Sequence, residues 1–157
     1  MSESLKKIIS GGQTGADRGA LDAAILQEFP HGGAVPAGRK SESGPLPLSY
    51  MMEELASEHY PDRTEKNVRD ADATLILSHG DLSGGSALTE KIANRLVKPC
   101  LHVDFTVLDM TQAVMRVSYW LDMHRIKVLN VAGPRASSDS RIYELTRTLI
   151  ISLLKQQ

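Results

Sequence analysis

The chain has 157 residues, the length of one domain, with 41% hydrophobic and 24% charged residues, enough to bury a real core. A formal net charge of -1 excludes a broad nucleic-acid or membrane footprint and points to a small-molecule partner. The single cysteine, Cys100, excludes an internal disulfide framework and fits a reducing cytoplasm. No apolar leader opens the chain and no apolar run reaches membrane-spanning length, so the expected location is the cytoplasm.

Strand patterns fall at 7–10, 33–36, 73–78, 100–103 and 126–131. The third and fifth hold the continuous apolar runs Thr74-Leu75-Ile76-Leu77 and Val128-Leu129-Asn130-Val131, as in strands covered on both faces. Helical periodicity appears between them. Leu21, Ala24 and Ile25 share a face in 16–28; Leu88, Ile92 and Leu96 share one in 88–97; Val114, Val117 and Leu121 mark 111–124. Asp109 and Gln112 stand at capping-box spacing ahead of that third helix, and Ile142, Leu145, Leu149 and Leu153 mark the last. Strands alternating with helices predict an α/β fold with a mainly parallel sheet in a single domain, 1–157. One stretch, about 36–62, breaks the alternation with Pro36, Pro45, Pro47 and Pro61, leaving room only for a short helical piece over 49–58. Such long irregular segments are usually lids or binding loops.

The loops that follow the strands carry the chemistry, because open parallel sheets bind ligands at their carboxyl edge. Gly11-Gly12-Gln13-Thr14-Gly15-Ala16-Asp17 turns a strand directly into a helix, a junction suited to an anion, though it matches neither a P-loop nor G-x-G-x-x-G. Ser83-Gly84-Gly85-Ser86 leads toward a helix at Leu88, and Gly133-Pro134-Arg135 toward the last helix. Arg39 and Arg135 have the planar geometry that matches phosphate. Each turn alone could equally be a helix cap; convergence of the three is what predicts a site. The five histidines show no H-x-x-x-H spacing and no Cys/His cluster, so no metal site is expected. His79 in its Gly-rich loop could reach a ligand or stand solvated. Asp17 could orient a ribose or a water, or simply stabilise the first helical turn.

These motifs, together with Pro36-Ala37-Gly38-Arg39-Lys40, Glu65-Lys66-Asn67-Val68-Arg69-Asp70-Ala71-Asp72 and Ser83-Gly84-Gly85-Ser86-Ala87-Leu88-Thr89, resemble the circularly permuted YpsA-like family of the SLOG superfamily, whose members are labelled molybdenum carriers. One departure is Gly33-Ala34-Val35-Pro36, where the family pattern has a Trp and a Cys before the proline. The resemblance implies a Rossmann-like three-layer αβα sandwich with a five-stranded sheet in the order 2-1-5-3-4, related to the LOG phosphoribohydrolases. The LOG pattern G-G-x-G-T-x-x-E, aligned from Gly84-Gly85, meets Ala87-Leu88 and then Lys91, so the catalytic glutamate has no counterpart. Glu90 is adjacent but turned about 100° away on a helix.

The expected function is therefore a carrier-type protein binding an anionic, phosphate-bearing molecule, nucleotide-like or a pterin such as molybdenum cofactor. Its expected ligand-binding residues are Gly11, Gly12, Gln13, Thr14, Gly15, Asp17, Arg39, Ser83, Gly84, Gly85, Ser86, Gly133 and Arg135, with segment 36–62 closing over them. The alternative is a nucleotide-processing hydrolase with Asp17 or Glu90 as acid/base; a third is a purely structural or signalling domain. Apolar surface over 114–120 predicts a homodimer or higher homo-oligomer.

Overall fold

The computed structural model describes residues 5–157. Strands β1 (Lys7–Ile9), β2 (His31–Gly32), β3 (Ala34–Val35), β4 (Glu53–Glu54), β5 (Ala73–Ser78), β6 (Cys100–Asp104) and β7 (Val128–Ala132) alternate with α1 (Ala16–Leu26), α2 (Tyr60–Asp70), α3 (Gly84–Arg95), α4 (Met110–Met123) and α5 (Ile142–Lys155). The main sheet is parallel throughout, in the order β2-β1-β7-β5-β6, and β3 pairs with β4 in a separate small sheet.

The main sheet has the five strands expected; its order reads 2-1-7-5-6 rather than 2-1-5-3-4 because β3 and β4 of the small sheet enter the count, and the one strand placed differently lies at the edge. His31–Gly32, rather than 33–36, pairs with β1, while Ala34–Val35 leaves the sheet to pair with Glu53–Glu54. Gly33 makes that switch possible. Its φ of +124° is open to glycine, and a Cβ there would lie 2.1 Å from the Ser10 carbonyl oxygen. Gly33→Ala is expected to lower unfolding free energy by about 2 kcal/mol, read from the urea midpoint at unchanged slope. The short helix expected over 49–58 is absent; β4 lies there instead, and the helix starts at Tyr60.

Strand alternation splits the sheet into two unlike faces. Ile8, Leu75, Leu77, Leu101, Val103, Leu129 and Val131 pack with α1, α4 and α5 into the larger core. The opposite face, where Val68, Ile92 and Ala93 of α2 and α3 form a small second cluster, carries the buried polar residues Thr74, Ser78 and Asn130. The Asn130 amide donates to Thr74 Oγ1 at 3.2 Å. This sparse apolar cover leaves a polar hollow at the carboxyl edge of the sheet, between α2 and α3.

α4 is fixed at its start by the expected capping box: Asp109 accepts from the Gln112 N–H at 2.8 Å, and the Gln112 side chain accepts from the Asp109 N–H. Within 114–120, Val117 and Trp120 are buried in the core, while Met115 and Tyr119 are exposed. No helix among the described residues is long and apolar enough to cross a membrane.

Candidate functional site

A cleft of about 320 Å³ opens at this edge. Its walls come from four places: the loop after β1, α2, the loop after β5 with the first turn of α3, and the loop after β7.

The α3 wall supplies open donors. Gly84 and Gly85 are the first turn of the helix itself, which begins four residues earlier than the expected Leu88. No side-chain cap is present, and the two N–H groups have no partner among the described residues. A Cβ on either glycine would meet nothing within 4 Å, so the backbone faces open space. An uncapped helix start of this kind carries partial positive charge.

The opposite wall is organised around Asp17. Its carboxylate accepts from Arg63 Nη1 at 3.1 Å and from the Gln13 N–H at 3.3 Å. Burial pushes the Asp17 carboxyl up, against the pull of the Arg63 guanidinium. Arg63 lies so close over Gly11 that a Cβ there would sit 1.7 Å from Nη1. Its guanidinium also lies 5.1 Å from the centre of the Tyr60 ring, which Lys40 approaches to 4.7 Å and Arg135 to 5.7 Å. Three cations thus gather around one aromatic ring, two of them, Arg63 and Arg135, lining the cleft.

Between these walls sits Gln13, 6% exposed. Its Oε1 accepts from the Thr14 N–H at 3.1 Å and from the Glu42 N–H at 2.9 Å, which fixes the orientation of the amide. The donor end, Nε2, is buried and has no hydrogen-bond partner among the described residues. A buried unpaired donor of this kind costs about 1–3 kcal/mol, which a ligand acceptor would recover.

The loop after β5 is braced from below. Ser78 Oγ lies 2.7 Å from the Gly80 carbonyl and 2.6 Å from His102 Nε2. A hydroxyl has one proton, so it donates to the carbonyl and accepts from the ring N–H. Ser78 is therefore a brace and not a nucleophile activated by His102. Asp104 accepts from the Gly80 N–H and from the Thr106 N–H and hydroxyl, and these bonds hold its carboxyl down to about 2. A depressed folded-state value contributes stability above about pH 4 that is lost as pH falls toward 2. In thermal melts between pH 5 and 2, Asp104→Asn should lose less stability than the wild type; equal slopes would contradict this account.

His79 and Asp139, both lining the cleft, join that loop to the one after β7 through Nδ1 and Oδ2. Burial opposes the charged Asp139 carboxyl, but the His79 ring and the Arg141 N–H outweigh it and hold the group below the usual range. The His79 ring packs 5.8 Å from Phe105, and its Nε2 has no partner among the described residues.

The sequence model of the circularly permutated YpsA SLOG family matches residues 8–154. The chain belongs to this family. A crystal structure described as "Putative molybdenum carrier protein from Syntrophus aciditrophicus SB" is 50% identical to it, covering 96% of this chain and 97% of that one, with a TM-score of 0.94. No curated protein sequence matches the chain at a significant level.

In this family member, Gly11, Gln13, Asp17, Ser83, Gly84, Gly85, Ser86, Gly133 and Arg135 of the expected set line the cleft. Gly12, Thr14, Gly15, Arg39 and Glu90 do not. In the glycine-rich turn after β1, four N–H groups are taken by other protein atoms: Gly12 donates to Ser10 Oγ, Gln13 to Asp17, Thr14 to Gln13 Oε1 and Ala16 to the Pro134 carbonyl. Gly15 has φ +84°, and a Cβ on it would lie 2.4 Å from that same carbonyl, so its role is close packing of two loops. The turn after β7 is likewise occupied, with Ala136 donating to Thr14 Oγ1 and Ser137 to Glu42. The turn at Ser83 opens directly onto a helix start whose Gly84 and Gly85 N–H groups have no partner among the described residues.

Arg39 is spent on the backbone, donating to the carbonyls of Leu46, Pro47 and Tyr50. No residue of segment 36–62 lines the cleft. The segment acts as a clamp behind it: Glu42 accepts from the hydroxyls of Ser137 and Thr14, which hold its carboxyl low, and Arg18 reaches both Gly12 O and Ser41 Oγ. Glu90 has Cys100 as its electrostatic neighbour, where burial first and that charge second push the thiol up to about 11. Thr89, one residue earlier, faces the cleft and donates to the Gly85 carbonyl.

Residues that the sequence reading missed are Arg63, Thr64 and Asn67 of α2, together with Asp139. Asn67 pairs with Ala34 in both directions, at 2.7 and 3.1 Å, and so ties the small sheet to the cleft wall.

Proposed function

We propose that this protein binds and carries an anionic, phosphate-bearing small molecule, nucleotide-like or a pterin cofactor, with its anionic group at the α3 start. The observation that carries the reading is the buried Gln13 Nε2, a fixed donor without an acceptor, in a cleft that also holds the bare Gly84 and Gly85 N–H groups. Arg63 and Arg135 add positive charge on the facing wall.

The similar crystal structure described as a molybdenum carrier raises molybdenum as cargo. Among the described residues no three His, Cys, Asp or Glu side chains are grouped to hold a metal ion. The donor set suits oxygen-rich anions instead, so molybdenum would be carried as an oxyanion or within a phosphate-bearing pterin. Gln13, Gly84, Gly85, Arg63 and Arg135 would hold such a group. Calorimetric titration with inorganic phosphate, molybdate, nucleoside monophosphates, phosphosugars and a pterin phosphate tests the reading. Saturable binding of at least one supports it, and no heat with any of them contradicts it.

A hydrolase is the second reading, favoured by the His79–Asp139 pair at the cleft wall rather than by Asp17, which is locked to Arg63. In that case His79 Nε2 would be the proton-transfer atom. Release of base or phosphate from a nucleoside monophosphate, lost in His79→Gln, would establish it; binding without turnover leaves the carrier reading standing.

A further inference from the structure

His79 is held at Nδ1 and on its ring but left free at Nε2. Nδ1 lies 2.5 Å from Asp139 Oδ2, and the ring packs 5.8 Å from Phe105. The side chains of His79 and Asp139 are each 12% exposed. Asp139 is itself fixed, because its other oxygen accepts from the Arg141 N–H at 3.0 Å. The backbone next to His79 is pinned as well, with the Gly80 N–H donating to Asp104 at 2.8 Å. Nε2 has no partner among the described residues. It is also not one of the buried atoms that lack a partner, so it is the part of the ring open to the cleft that His79 lines.

This arrangement decides the tautomer. The Asp139 carboxyl stays ionised, since the His79 ring and the Arg141 N–H hold it below the usual range. A carboxylate can only accept, so the neutral ring carries its proton on Nδ1 and its free lone pair on Nε2. A staple between two loops needs only the Nδ1 contact. Here the lone pair is also left free in a cleft that holds the bare Gly84 and Gly85 N–H groups and the unpaired Gln13 amide, donors that suit a phosphate. An oriented imidazole nitrogen beside a bound phosphoryl group is an activated nucleophile.

We infer that His79 Nε2 is a nucleophile that takes a phosphoryl group from a phosphate-bearing ligand in the cleft and becomes a phosphohistidine. The inference rests on the anion site at the α3 start and goes beyond both readings above, in which His79 lines the cleft or moves a proton. The Nε2 lone pair attacks phosphorus and the N–P bond forms. The P–O bond to the leaving group breaks, and its electron pair departs with that oxygen. The ring keeps its Nδ1 proton, and the positive charge it gains faces the Asp139 carboxylate. The donor class is an acyl phosphate, whose carboxylate leaves without needing a proton.

The test incubates the full chain with acetyl phosphate and locates the adduct by peptide mass spectrometry without acid, which would hydrolyse it. Inorganic phosphate binding is titrated in parallel, and far-UV circular dichroism confirms that each variant is folded. The wild type should gain a phosphoryl group at His79 at least about tenfold faster than at His31, His59, His102 or His124. His79→Asn should abolish that label. Asp139→Asn should slow it about 100-fold, because an amide can donate to Nδ1 and shift the ring proton to Nε2 while still joining the two loops. Labelling at the wild-type rate in Asp139→Asn, or equal labelling of all five histidines, overturns the proposal. Phosphate binding with no label at His79 overturns it too and leaves the anion site standing. Neither binding nor label contradicts the anion site and the nucleophile together.

Discussion

Arg63→Met should lower the unfolding free energy by about 3–5 kcal/mol at pH 7, the range for leaving one member of a buried ion pair without its partner. Both side chains are about nine-tenths buried, and the Asp17 carboxylate otherwise accepts only the Gln13 N–H. Without the guanidinium, the carboxyl must stay charged in a dry site or take up a proton. Burial already pushes it above the usual carboxylate range, and losing the cation pushes it further. The folded state then binds a proton that the unfolded state has released, so stability falls as pH rises through the window above about 4. The defect of Arg63→Met should accordingly be smaller at pH 5 than at pH 8. Asp17→Asn combined with Arg63→Met should regain most of the loss, since no charge remains to be paired. Chemical denaturation of the three variants at the two pH values checks this. A single-variant loss below about 1 kcal/mol, flat with pH, would mean that the pair is not what holds α2 against the first loop.

Gly85→Asp should separate binding from folding. A Cβ at Gly85 meets nothing within 4 Å, so the side chain is accommodated without a clash. A carboxylate in the first turn of α3 favours the helix by about 0.3–1 kcal/mol. The melting temperature should therefore hold or rise. The same carboxylate stands where the ligand's anion is proposed to sit, and opposing like charges costs several kcal/mol, so affinity should drop about 100-fold or more. Gly85→Ala is the matched control and should leave both properties near wild type. A variant that folds well and binds as before would remove the α3 start from the site.

The fold was legible wherever apolar residues were continuous or periodic. β5 reads as a buried strand because all six of its residues are buried, and α4 reads as a helix because Asp109 and Gln112 cap it. The 31–36 region was misplaced because two-residue strands leave no pattern, and the sheet change depends on the backbone of Gly33. α2 escaped notice for a different reason. Its buried residues are Arg63, Asn67 and Val68, so it has no apolar stripe to detect. Its usable signals were Pro61 at the start, Asp62 in the first turn and the spacing of Glu65 with Arg69 and Lys66 with Asp70.

The candidate site was legible at the level of loops and not of donors. Glycines after strands marked the correct edge, but which N–H groups remain bare depends on partners far along the chain. Ser10, Thr14 and Glu42 consume several of those of the first and last turns, while the Gly84 and Gly85 N–H groups at the α3 start have no partner among the described residues. Gln13 is legible as a binding residue from its place in the turn; its donor role rests on Glu42, 29 residues away, holding the other end of the amide.

The most direct test is calorimetric titration of wild type, Gly85→Asp and Gln13→Leu, side by side, with the phosphate-bearing or oxyanion probe that the wild type binds best. Saturable one-site binding in the wild type, falling about 100-fold in Gly85→Asp and by about tenfold in Gln13→Leu, is the predicted result. Equal affinity in all three proteins, each shown to be folded, would contradict an anion site at the start of α3.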